Sequence, residues 1–281
     1  MIRNGTVSVI TGLYNGQRFI AETAKSVFQQ QGIDVEWILI DDGSQDNGLR
    51  TSQQIAEQCA SESVSCVFLK HEAANQGIKP TYAEGVRIAT VEFFKILDHD
   101  DVLSRPDSLL RQTTILDEHP TVGLVFSRTT LIDSEGSSIK EKRYPFVDGK
   151  PILDKPVLTA NILFNWRLPF IHGSFMTRRS TFDELYRGRT QHFDTELLVD
   201  MLKSEKDIAY LDEPLFSYRI HEGNYSRTTE EALAEFYRGR RYIAQQLGLG
   251  RIPQEASVLY WKSMGVLGDL KTRVVSSKER K

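Results

Sequence analysis

Cysteine is nearly absent from this sequence of 281 residues. Cys59 and Cys66 do not form a CxxC pair and fall on a helix and the strand after it. Reduced, buried thiols of a cytosolic protein are therefore expected in preference to a disulfide. An excess of one charge is also lacking: 35 Lys and Arg stand against 38 Asp and Glu, a net charge of -3. General nucleic-acid binding, which needs a basic face to neutralise phosphates, is argued against. No segment calls for a membrane span, and Met1 to Asn4 run straight into an apolar strand without a signal peptide. Internal repeats, low-complexity tracts and long linkers are missing, and no two histidines have zinc-site spacing on one helix. What remains is ordinary globular composition, 40% hydrophobic and 26% charged.

Against that background the run Phe94, Lys95, Ile96, Leu97, Asp98, His99, Asp100, Asp101 stands out. An apolar strand stops abruptly in three carboxylates. Such charges repel one another when crowded, so a divalent cation with oxygen ligands is their natural partner. Asp98, Asp100 and Asp101 read as a metal site, with Mn2+ or Mg2+ as the fitting ion.

The surroundings give that cluster a place. Val7–Ile10 and Val35–Ile40 are apolar runs, ending in Thr11 to Gly16 and in Asp41 to Ser44 respectively. Between them Phe19, Ile20, Ala24, Val27 and Phe28 have helical spacing. The alternation repeats: a helix over 47–60, a strand over 64–69, a helix over 80–90 and a strand over 92–97 that enters the acidic run. Alternating strands and helices predict an α/β fold with a Rossmann-like, mostly parallel central sheet. Ligands of such sheets sit beyond the carboxyl ends of the strands, where Thr11, Asp41 and Asp98 fall.

In order along the chain, Val7 to Ile10 leading to Tyr14 and Asn15, then Ile40 to Ser44, Asn75 to Gly77, Leu97 to Asp101, Gly173 and Ser174, Phe193 and Asp194, and Tyr218 to His221 with Asn224 and Ser226 resemble the motifs of the family 2 glycosyltransferases. The resemblance implies a GT-A fold, a nucleoside-diphosphate-sugar donor, a divalent metal and direct displacement with inversion at the anomeric carbon. It implies that Thr11 and Tyr14 border the nucleoside, that Asp41 meets the base, and that Asp98 and Asp100 are the DxD pair, one reaching the ribose or a metal-bound water and the other the ion. Asp194 falls where these enzymes keep their catalytic base. His221, in the closing motif, is a candidate for the metal or the diphosphate.

Chemistry supports part of this independently. A carboxylate at Asp41 only accepts hydrogen bonds and so suits the imino N–H of uracil, thymine or guanine. Asp194 precedes a helical pattern, Thr195 to Leu202, and its alternative role is to cap that helix. Phe193 stands where the family usually has Glu, which leaves Glu196 as the reserve base. Tyr82 and Ala83 stand where the family places Arg and Asn, and Lys79 offers a substitute positive charge toward the nucleotide, with an exposed lysine at the helix start as the plain alternative. His99 is expected to point away from the acidic ligands.

Later segments are read more coarsely: a helix over 106–119, a strand over 122–126, a hairpin around Ser134 to Gly136, and an acceptor-shaping stretch over 140–168. Trp166, Phe170 and Phe175 are candidates for stacking on sugars, with core packing as the alternative. The expected division is a catalytic domain over 1–226, with a nucleotide-binding half over 1–104 and an acceptor-binding half over 105–226, and then a helical extension over 227–281. In that extension Thr228 and Glu231 form a capping box and Gly248 closes an apolar stripe. From Arg238 to Lys281 there are ten Lys and Arg against three acidic residues, which fits either peripheral contact with anionic lipid or a solvated helical cap. The expected activity is metal-assisted sugar transfer to a glycan or lipid-linked acceptor, in cell-surface polysaccharide synthesis, in the cytoplasm or at the inner membrane face. A non-catalytic binding protein on the same fold is the main alternative, and a nucleotidyltransferase is disfavoured because 11–16 lacks a basic, glycine-rich phosphate loop.

Overall fold

The computed structural model describes residues 5–72, 75–144, 150–162, 171, 173–187, 193–224 and 230–248. Trp166, Phe170, Ser226 and the stretch from 249 to 281 lie outside them.

Four parallel strands open the chain, joined by helices: β1 (Thr6–Leu13), α1 (Ile20–Phe28), β2 (Asp34–Asp41), α2 (Gly48–Gln58), β3 (Val64–Lys70), α3 (Ile78–Ile88) and β4 (Phe93–Ile96). They pair in the order β3-β2-β1-β4. The chain therefore winds outward from β1 to β3, then returns to β1's other side. That reversal opens a crevice between β1 and β4 at their carboxyl ends. β1 continues further than the apolar run suggests, because Thr11, Gly12 and Leu13 stay in register with Leu39, Ile40 and Asp41 of β2. Main-chain pairing outlasts the side-chain signal.

Beyond the acidic run come β5 (Val102–Leu103), α4 (Ser108–Glu118), β6 (Val122–Ile132) and β7 (Ser138–Lys142), the last two forming the expected hairpin. Next are α5 (Lys155–Ala160), β8 (Met176–Arg178), α6 (Arg179–Leu185), α7 (Phe193–Lys203) and β9 (Asp207–Arg219), and α8 (Glu230–Gln246) is the last described element. The sheet continues from β4 through antiparallel β8, then β6, β9 and β5. Phe175 is buried against Phe126 and does not offer a face for sugar stacking.

Strand alternation sorts the core into two layers. Val7, Val9, Leu13, Trp37 and Leu39 face α1 and α4, while Ile10, Ile38, Ile40, Phe94 and Ile96 face α3 and α7. Each such fully buried aliphatic side chain contributes ~1.5–3 kcal/mol. α3 comes very close to β1: a Cβ on Gly85 would lie 2.3 Å from Cγ2 of Ile10. Only glycine allows that approach, and it brings Tyr82 of the same helix against Gly12 and over the end of β4. Among the described residues no helix is long and apolar enough to cross a membrane.

Candidate active site

Extended backbone would send Asp98 and Asp100 to opposite faces. β4 ends before them, at Ile96, and the N–H of Asp101 donates to the carbonyl of Asp98 at 3.2 Å, so the chain turns. One oxygen from each of Asp98, Asp100 and Asp101 then lies within 4.8 Å of the others.

The strand after the turn locks it. β5 runs antiparallel to the end of β9, pairing Val102 with Ser217, and this carries Arg219 and His221 to the acidic loop. Arg219 is fully buried and reaches three segments at once. Its N–H donates to Asp101 Oδ1 at 2.9 Å and its Nε to the carbonyl of Asp100 at 2.8 Å. Its guanidinium donates to Glu22 of α1 at 2.5 Å and to the carbonyls of Asp133 and Ser134, and lies over the Phe19 ring. His221 Nδ1 accepts the N–H of Gly223 at 3.1 Å, so a neutral ring carries its proton on Nε2 and donates to Asp100 Oδ2 at 2.9 Å. Asn224 also donates to that oxygen, at 3.4 Å. The Tyr82 hydroxyl donates to Asp98 Oδ1.

This donor set fits a divalent cation. Asp101 is buried, and its Oδ2 has no hydrogen-bond partner among the described residues. Burial, then the charges of Asp100 and Asp98, push its carboxyl well above the usual carboxylate range. An ion among the three oxygens would supply the missing partner and remove the repulsion. Arg219 opposes that shift from beside Asp101, and Lys95, fully enclosed on β4, is a second cation in reach of it. Burial pushes its ammonium down to about 7 against the opposing pull of Asp101.

The end of β2 holds a second orphan. Asp41 is fully buried, with Oδ1 accepting the N–H of Ser44 at 3.0 Å. Its Oδ2 has no hydrogen-bond partner among the described residues, and the Lys70 ammonium stands 3.8 Å away. An open cleft of about 440 Å³ beside it is lined by Gly43, Gln45, Lys70, His71 and Glu72. The two loops around Asp41 are stitched together: Asn15 receives from Gln45 and donates to Ser44, while Asp46 receives from Gln17. Tyr14 remains 39% exposed on this rim.

Not every expected residue joins these groups. The Thr11 side chain is fully buried, its hydroxyl accepting from Trp37 Nε1 at 3.1 Å. It faces the core, and only its main chain is left for a nucleoside. Lys79 sits half-buried in the first turn of α3. Asp194 is the second residue of α7, half-buried, its Oδ1 accepting the N–H of Thr195 at 2.7 Å. Glu196 is fully buried and accepts the N–H of Arg187 at 2.9 Å, a tie that holds α6 to α7. His99 turns back on β1, its Nδ1 3.2 Å from the carbonyl of Gly12.

Sequence reasoning missed Arg219, Asn224 and Tyr82 as supports of the acidic loop. The first two lie in the closing motif, and Tyr82 was visible only as a departure from the family pattern. The roles of Arg219 and Asn224 depend on β5 pairing with β9, and a two-residue strand leaves no periodic trace; that of Tyr82 depends on the close approach of α3 to β1.

Comparisons with known proteins bear on the family and the fold. A 25% identical relative, an uncharacterised glycosyltransferase of Methanocaldococcus jannaschii, aligns over 241 residues, 82% of this chain and 77% of its own. Among solved structures, TarS of S. aureus in complex with UDP-GlcNAc superposes with a TM-score of 0.63 at 18% identity, over 90% of this chain and 70% of TarS. The mannosyltransferase PcManGT of Pyrobaculum calidifontis, in complex with GDP-Man and Mn2+, gives 0.57 at 18% identity, over 90% and 67%. The sequence model described as glycosyl transferase family 2 matches residues 8–186. That is more than half of the chain, and the protein belongs to this family as a glycosyltransferase of GT-A fold.

Proposed function

We propose that this protein is an inverting glycosyltransferase that moves a sugar from a UDP, dTDP or GDP donor to a hydroxyl of a glycan or lipid-linked acceptor, in cell-surface polysaccharide synthesis. The observation that carries the reading is the pair of orphaned, buried carboxylate oxygens, on Asp41 at the end of β2 and on Asp101 beyond the end of β4, either side of β1. Asp41 Oδ2 is open to a ring N–H donor, which uracil, thymine and guanine supply and neutral adenine or cytosine does not. The structural neighbours solved with UDP-GlcNAc and with GDP-Man support a base of this kind.

In this reading Tyr14 borders the nucleoside beside the main chain of Thr11, and Lys79 faces the diphosphate. Asp98 and Asp100 hold Mn2+ or Mg2+ with the free oxygen of Asp101, and His221 borders the ion. When bound, the cation neutralises charge on the leaving diphosphate. Tyr82 fixes Asp98; His221 and Asn224 fix Asp100. Asp194 takes the proton of the acceptor hydroxyl as its oxygen attacks the anomeric carbon from the face opposite the diphosphate. Flotation of the intact chain with anionic vesicles tests whether the basic stretch from 238 onward contacts anionic lipid or serves as a solvated cap on the catalytic domain.

A thermal-shift panel of nucleoside diphosphates with Mn2+ tests the donor class, since a ligand of the folded state raises the midpoint. UDP, dTDP or GDP is expected to stabilise the protein, and Asp41→Asn to weaken that ligand by about tenfold. Stabilisation by ADP or CDP alone overturns the assignment of Asp41.

A further inference from the structure

His71 takes no part in the chemistry proposed for the acidic loop, yet it occupies an unusual position just after β3. Its Nδ1 stands 2.9 Å from Asp42 Oδ1, and its Nε2 stands 2.7 Å from Glu84 Oε2 on α3. Carboxylates only accept, and a neutral imidazole has one N–H to give. Both contacts are made together by the imidazolium. The ring is 13% exposed and is faced by Asp42, Glu84 and the cleft side of Glu72. Arg87 lies 3.5 Å from the other oxygen of Glu84, and Lys70 lies toward Asp41.

Asp42 carries more than this contact. It accepts the N–H groups of Gln76 at 2.9 Å and Gly77 at 2.8 Å, while its carbonyl takes that of Asn75 at 2.9 Å. Gly77 has φ +98, a left-handed conformation that an L side chain would strain. The turn 75–77 is thus suspended from Asp42, beside Asp41, and leads directly into α3 with Lys79 and Tyr82.

We propose that His71, as an imidazolium, is a positioning residue that cross-links Asp42 to Glu84 and so keeps the 75–77 turn and the first turns of α3 in the shape that binds the nucleotide. The inference deepens the donor reading and rests on it. Hydrogen bonds to Asp42, then to Glu84, hold the His71 ring above its ordinary value of 6.5, against the effect of burial. On Asp42 burial opposes ionisation, but the bonds from His71, Gln76 and Gly77 outweigh it and hold the carboxyl below its usual range. A raised imidazole contributes fully below 6.5 and loses its contribution as pH rises through the folded-state value. Nucleotide affinity therefore falls on the alkaline side.

The test tracks the histidine ring nitrogens of the full chain by NMR from pH 6 to 9, with His71→Gln for assignment, beside calorimetric titration of UDP and GDP with Mn2+. At pH 7 both nitrogens of His71 should be protonated. Affinity for UDP or GDP should weaken about tenfold across the His71 titration, the loss of one charge-assisted hydrogen bond. His71→Gln should bind weakly with this pH step removed, and Glu84→Gln should move the ring titration and the affinity step together to lower pH. A ring with one bare nitrogen at pH 7, or an affinity step that stays put in Glu84→Gln, overturns the cross-link. Absence of binding by either nucleotide at every pH, with His71 still doubly protonated, overturns its role toward nucleotide and the donor reading while leaving the cross-link standing.

Discussion

From β1 to β4 the chain is closed by parallel ladders and by apolar faces, and its loops are tied by short side chains such as Asn15, Ser44 and Asp46. The region after β5 is closed differently, both on itself and against the first region, by long cations that donate into main-chain carbonyls. Arg179 reaches the carbonyls of Val86 and Ala89 at the end of α3, and Arg178 that of Leu116 in the last turn of α4. Lys155 reaches Met201 and Ser204 at the end of α7, and Lys95 reaches Gly173 and Phe175 before β8. Helix C-termini leave carbonyls without intrahelical partners, and a remote cation both satisfies them and complements the dipole. The lesson is one of specification: periodic apolar residues define the first region, whereas single charged residues define how the second is attached to it.

The comparison is tested hardest where both regions meet, at the acidic turn. Asp100→Asn removes charge from the triad while keeping shape, and is expected to lower turnover about 100-fold or more, as for loss of a main electrostatic contribution. Release of nucleoside diphosphate from a donor sugar measures it, with unchanged urea unfolding as the control. A loss of only a few-fold would detach catalysis from the triad. Next in size is Arg219→Met, which strips the carbonyls of Asp100, Asp133 and Ser134 of a buried donor. The expected cost is about 3 kcal/mol in urea unfolding. It should match Leu39→Ala, a core truncation expected to cost about 2–5 kcal/mol. Arg179→Met should cost less, about 1–2 kcal/mol, because only the C-terminal carbonyls of α3 lose their partner.

The same division governs what was legible in the sequence. Four strands and three helices up to Ile96 are readable from apolar spacing, and the acidic turn from its composition. The candidate metal site was legible because three carboxylates crowd at one strand end. β9, thirteen residues long, was not foreseen, since its apolar run is broken by Asp212, Glu213 and Pro214 where the register with β6 shifts. β8 is too short for periodicity and is placed by pairing with β4 and β6. Thr11 was misplaced for a related reason: its neighbours suggest a turn, but pairing with Leu39 keeps it in the strand and directs its hydroxyl to Trp37. His71 showed nothing in sequence because its partners, Asp42 and Glu84, come from two other elements.

The smallest effect separates charge that closes seams from charge that decorates the surface. Arg18 and Glu135 pair at 3.3 Å with side chains 64% and 78% exposed. Water screens that pair and both side chains lose rotamer freedom in making it, so Glu135→Ala should change stability by less than about 0.5 kcal/mol. Arg179 donates instead to carbonyls that a helix end leaves without partners. If urea midpoints ranked Glu135→Ala level with Arg179→Met, carbonyl capping would carry no more weight than a solvated ion pair. The attachment of the second region would then have to come from apolar contacts such as that of Phe182 against Phe94.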